Sequence, residues 1–159
     1  MKENLSTLNL DPIDWKLLEV LQHNGKLTTK EIANRVHLSP TPVYERIKRM
    51  EREGVIKKYV ALVAAEKIGK DLTVFSHITL KEHTKEIGNQ FVQEIVSLKH
   101  VTECYNVSGD YDFMLKIMVR DMKHYQDFVI NDLGSIKNVG SVHSTFVMGV
   151  IKHSYAVPL

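Results

Sequence analysis

Thr41, Glu45, Lys48, Arg49 and Arg52 follow one another at steps that gather them on one side of a helix. A carboxylate there can accept from a cytosine amino group, a threonine methyl can touch thymine, and the cations can pair with phosphate. This is nucleic-acid chemistry rather than catalysis. Ser39 stands at the head of the stretch, and Tyr44 and Arg46 lie on its flanks. A second cluster, Ser108-Gly109-Asp110-Tyr111-Asp112, brings two carboxylates, hydroxyls and a glycine amide together. An α-amino acid needs an anion for its ammonium and donors for its carboxylate. Asp110 or Asp112 can supply the first, and Ser108 with the Gly109 amide the second; the same composition also suits an ordinary β-turn.

The elements that position these residues are marked by caps and periodicity. Thr28 and Glu31 form a capping box, and Ile32, Ala33 and Val36 make one stripe of the short helix it opens. After the turn His37-Leu38-Ser39, Ser39 is placed to cap a second helix, with Pro40 at its first position. Val43, Ile47 and Met50 then face a core, which turns the chemical face outward. A short helix crossing a longer one that shows cations is a helix-turn-helix, whose second helix enters the major groove. Before it, Asp11 and Pro12 open a helix with Ile13, Leu17, Leu18 and Leu21 on one face, ended by Asn24-Gly25. The three-helix unit ends at Gly54, and VIKKYVALV (55–63) is predicted as a strand.

Residues 64–71 connect to a second region with a repeated rhythm. Strands are predicted over 72–80, 101–107, 113–119 and 139–151, and helices over 84–98 and 121–133. The order is β-α-β, turn, β-α-β, the ferredoxin-like pattern, with helices on one face of the sheet. The other face also carries apolar residues, so a second copy of the chain is expected to cover it. The fold class is therefore α/β (α+β), with a winged helix-turn-helix domain over 1–63 and a βαββαβ effector and oligomerisation domain over 64–159.

Composition bounds the function. The chain has 159 residues, 43% apolar, and a net charge of +2. Residues 1–60 hold eleven Lys/Arg against eight Asp/Glu, and 61–159 hold ten against eleven, so the basic surplus lies on the first domain. Lone Cys104 cannot form an internal disulfide and reads as a small core or interface residue. No signal-type segment and no run long enough to span a bilayer appears, which predicts a cytoplasmic protein without membrane contact. The eight histidines show no zinc-ligand spacing, although His77 and His143 lie on strands expected to be neighbours. No phosphate-binding glycine motif or nucleophilic triad is present. Catalytic residues, metals and cofactors are not expected.

The segments LDPIDWKLLEVL, LSPTPVYERIKRMEREGVIKKY and VSGDYDFMLKI resemble the Lrp/AsnC family of regulators. The likeness covers roughly residues 8–152, with both halves in order. It implies double-stranded DNA as partner, a recognition helix from Ser39 to Glu53 in which Ser39, Thr41, Tyr44 and Arg46 or Arg49 touch phosphates or bases, dimers that assemble to octamers, and a small effector, usually an amino acid, at residues 108–112. His37 stands where the family commonly has glycine. Two other readings compete: a siroheme decarboxylase-like enzyme on the same scaffold, and an architectural DNA-binding regulator without effector.

Overall fold

The computed structural model describes residues 9–159; the first eight, the polar lead-in of the expected first domain, lie outside the described residues. Two compact units are present. Helix α1 (Pro12–His23) opens with a reciprocal box. Asp11 accepts from the Ile13 and Asp14 amides, both at 2.9 Å, and Asp14 accepts from the Asp11 amide at 3.1 Å. Helix α2 (Thr29–Val36) has the expected Thr28–Glu31 box. It ends at His37 in the left-handed region (φ 56°, ψ 46°), which costs an L-residue about 1–2 kcal/mol. The His37 and Leu38 amides offset part of that by donating to the Ala33 carbonyl.

Helix α3 (Pro40–Arg52) begins after Ser39, but the expected serine cap does not form. Pro42 occupies the third helical position and has no amide to offer the hydroxyl. The three helices close over Leu17, Leu18, Ile32, Val43, Ile47 and Met50. The strand expected over 55–63 is also absent. A strand exists only against a neighbouring backbone, and among the described residues this segment pairs with none. Val55 and Ile56 pack partly buried against the helical core, and from Lys57 on the side chains stay outside, with Val60, Leu62 and Val63 at 62%, 66% and 64% exposure.

The second unit runs β1 (Leu72–Leu80), α4 (Lys85–Ile95), β2 (Val101–Asn106), β3 (Phe113–Val119), α5 (Met122–Asn131), β4 (Val139–Phe146). The sheet order is β2-β3-β1-β4 with every pairing antiparallel, as the ferredoxin-like pattern requires. Alternate residues of β1 and β3 (Val74, Ile78, Leu115, Ile117) meet Phe91 and Ile95 of α4 and Phe128 of α5 in one core. Strand β4 stops at Phe146 rather than 151. Phe146 pairs with Val74 near the start of β1, and after the Val147 amide donates to Thr73 the chain runs past the end of its partner. Cys104 is half-buried against this core, and burial pushes its thiol up. The expected division falls between residues 63 and 64. The compact units divide between Leu62 and Val63, and Lys152–Leu159 groups with the first.

One polar link crosses the second core. The Tyr125 hydroxyl bonds Ser76 Oγ at 2.9 Å and also Ser144 Oγ, with Ser76 fully buried. Tyr125→Phe strands the Ser76 hydroxyl and is expected to lower stability by about 1–3 kcal/mol. In denaturant titrations, adding Ser76→Ala should restore much of the loss; a loss that persists in full would show that the tyrosine hydroxyl acts otherwise.

A second link is titratable. His100 and His124 meet Nε2 to Nε2 at 3.2 Å, and His124 Nδ1 accepts from Arg120 Nε at 3.3 Å. Burial, then the His124 ring and Lys70, hold His100 below the usual histidine range. The unfolded chain therefore takes up this proton first, so the contribution is flat above about pH 6.5 and turns unfavourable as pH falls below it. Melting curves from about pH 7.5 to about pH 5 should be shallower in pH for His100→Asn than for the native chain. Equal slopes would exclude His100 as the source.

Candidate nucleic-acid interface and ligand loop

Helix α3 buries Val43, Ile47 and Met50, and this fixes what its other faces present. Ser39, Thr41, Tyr44, Glu45, Lys48 and Arg52 are exposed, as the periodicity requires. Lys48 pairs with Glu51 at 2.7 Å and lies 5.8 Å from the Tyr44 ring centre. The Lys48 contact holds the Glu51 carboxyl below the usual range. Arg52 reaches Glu53 at 3.5 Å with its side chain 72% exposed. Exposed pairs of this kind are worth about 0–1 kcal/mol, so both cations can exchange their carboxylates for phosphates at little cost. Glu51 also accepts from the Tyr59 hydroxyl at 3.1 Å. Burial and that carboxylate push the Tyr59 phenol up to about 12.

Arg46 and Arg49 are placed differently from the exposed residues. Arg46 Nη1 reaches Asp11 at 2.6 Å and Asp14 at 2.8 Å, and Arg49 Nη2 reaches Asp14 at 2.5 Å. The Asp14 side chain is fully buried, whereas the two arginines are 27% and 36% exposed. A buried carboxylate requires such partners, so both guanidinium groups are committed to fastening α3 to the start of α1. Sequence reasoning passed over Asp14. Its signal is spacing: Leu17 and Leu18 follow at i+3 and i+4, which puts the carboxylate on the buried stripe of α1, where it must find cations.

Residues 108–112, the candidate ligand loop, lie in the connection from β2 to β3. The Asp112 amide donates to the Ile78 carbonyl, and Asp112 Oδ2 accepts from the Leu80 amide at 2.7 Å and lies 3.2 Å from His83 Nε2. Asp112 thus ties the loop to the end of β1. Ser108, Gly109 and Asp110 form the exposed tip, where Gly109 takes φ +113°, a conformation that disfavours any side chain. Tyr111 turns back onto the sheet, 4.9 Å from the His77 ring and 5.5 Å from that of His143. His77 and His143 are direct partners across β1 and β4. Among the described residues no group of three or more potential ligands could hold a metal. The five loop residues therefore divide into an exposed tip, a ring packed on the sheet and a structural carboxylate.

Among the described residues no helix is long and apolar enough to cross a membrane. The chain matches the Lrp/AsnC ligand binding domain over residues 73–157 and a winged helix-turn-helix DNA-binding family over residues 10–57. It is 35% identical to the DNA-binding transcriptional activator DecR of Escherichia coli (strain K12), covering 94% of this chain and 99% of that protein. It is 37% identical to the leucine-responsive regulatory protein of Klebsiella pneumoniae, covering 92% and 89% respectively. Among solved structures, the transcriptional regulator NMB0573 of Neisseria meningitidis in complex with L-Met superposes with a TM-score of 0.90. Its sequence identity is 34%, over 94% of this chain and 96% of that one. Escherichia coli AsnC gives a TM-score of 0.83 at 27% identity, over 91% and 95%.

Proposed function

Given that this chain belongs to the Lrp/AsnC family of DNA-binding transcriptional regulators, we propose that it acts as a homodimer whose DNA affinity answers to an amino acid. The exposed face of α3 carries the proposal. Lys48 and Arg52 take phosphates, Ser39 and Tyr44 reach backbone or base edges, and Thr41 and Glu45 discriminate bases. Arg46 and Arg49 orient the helix instead of touching DNA, because Asp14 already holds them. A dimer separates two such helices by about 34 Å or a multiple, so the site is roughly palindromic. The exposed apolar run at residues 59–63 supports a partner copy, since a single chain leaves it uncovered.

In the ligand loop the exposed Asp110 is the better ammonium partner, because the Asp112 carboxylate is engaged on the Leu80 amide. Ser108 and the Gly109 amide then face the ligand carboxylate, with Tyr111 beside them. The related NMB0573 structure holds L-Met, which makes methionine the first candidate.

Thermal melting against the twenty amino acids at millimolar concentration tests this reading. A ligand at a hundred times its dissociation constant adds about 2.7 kcal/mol to the folded state and raises the midpoint by a few degrees. Asp110→Ala should abolish that shift while leaving DNA affinity intact. A response that survives Asp110→Ala would move the ligand away from this loop, and no response to any amino acid would favour a regulator without amino-acid effector.

A further inference from the structure

Beyond β4 the chain turns back: Lys152–Leu159 packs with the helix-turn-helix unit and not with the sheet it has just left. Among the described residues its hydrogen bonds to α1 are made at one residue. The Val157 amide donates to Gln22 Oε1 at 2.5 Å, and the Val157 carbonyl accepts from Gln22 Nε2 at 3.2 Å. A primary amide has both a donor and an acceptor, so one glutamine satisfies both backbone groups of one residue, as a neighbouring strand would. Pro158 biases Val157 to extended backbone, the conformation that points its N–H and C=O the same way.

The segment also has local order of its own. The Ala156 amide donates to Ser154 Oγ at 3.2 Å, and the His153 and Tyr155 rings lie 4.4 Å apart. Tyr155 lines a groove with Gly25, Tyr59 and Leu62. Gly25 has no side chain where the Tyr59 ring passes 3.1 Å from the ideal Cβ position, so the ring lies close against the backbone there.

We propose that residues 154–158 are a docking peptide for the C-terminal end of α1 in the same chain. They form a strap that leaves the ligand-binding unit covalently at Ile151–Lys152 and is held noncovalently on α1 through Gln22, in addition to the covalent passage at Leu62–Val63. Tyr155 and Val157 remain 61% and 65% exposed, so the strap is lightly held and able to release. The strap and DNA are coupled to the extent that DNA binding changes the geometry at Gln22, because a docked segment shifts an equilibrium only by its differential affinity for the two states. The coupling, though not the docking, rests on the reading of the chain as a regulator.

Hydrogen exchange of the full chain tests the docking without DNA. A hydrogen bond of ordinary strength should slow the Val157 amide about tenfold, and Gln22→Ala should abolish that protection without moving either unit's melting midpoint. Val157→Pro, which removes the donor, should expose Gln22 in the same way, read as loss of the hydrogen-bonded shift of its side-chain amide. An unprotected Val157 in the native chain, or protection that survives Gln22→Ala, overturns the strap. Protection that disappears on dilution gives the peptide to a neighbouring copy and overturns docking within one chain.

DNA titration tests the coupling. Both variants should change DNA affinity about threefold or more in the same direction. Unchanged affinity with lost protection overturns the coupling. A native chain that binds no DNA overturns the coupling together with the regulator reading, and the exchange result for docking stands by itself.

Discussion

Replacing Asp14 with alanine is expected to lower the stability of the helix-turn-helix unit by about 3 kcal/mol, the lower end of the range for breaking a buried ion pair. The lower end applies because Arg46 and Arg49 are partly exposed and can recover solvent once released, while Arg46 keeps Asp11. Part of the loss is the capping box, since Asp14 also accepts from the Asp11 amide. Asp14→Asn keeps a polar acceptor there without the charge and should lose less. The observable is amide exchange within α1 and α3, which isolates this unit from the sheet unit. A loss under about 1 kcal/mol would mean that the pairs behave as surface ion pairs, and would return Arg46 and Arg49 to the list of DNA contacts.

The second large effect concerns binding. Removing Lys48 and Arg52 together by alanine substitution is expected to flatten the dependence of DNA affinity on salt. Each phosphate contact contributes about 0.9 to the slope of log affinity against log salt, so four contacts in a dimer remove roughly 3.6. Stability should hardly change, because both side chains are exposed and their carboxylate partners are weak. Arg46→Ala provides the contrast: it should cost stability and leave the slope alone. A slope that falls for Arg46→Ala and holds for the double variant would reverse the assignment of the two faces. Glu45→Ala differs again, altering which sequence is preferred by about 1–3 kcal/mol at one position instead of weakening all sites equally.

These predictions separate residues that the periodicity of α3 grouped together. Helical spacing distinguishes the buried stripe of Val43, Ile47 and Met50 from everything else, but it cannot say which exposed cations are already occupied. Lys48 and Arg49 are adjacent in sequence and both charged; only one is tied to a buried carboxylate. Residues 108–112 divide in the same way. Asp110 and Asp112 are equivalent by composition, yet Asp112 serves the Leu80 amide and Asp110 stands at the tip.

The sequence by itself determined the order of the elements, the Thr28–Glu31 box, the core stripes and the ferredoxin-like pattern. Each depends on interactions within about four residues or on hydrophobic periodicity, and both are written along the chain. Only the tertiary structure decided that Ser39 does not cap, that 55–63 is no strand within one chain, and that β4 stops at Phe146. It alone joined Arg46 and Arg49 to Asp14, Tyr125 to Ser76, and Val157 to Gln22. The last of these spans 135 residues. Side-chain partners that distant depend on how whole elements pack, and a strand or an ion pair exists only once its partner has been brought alongside.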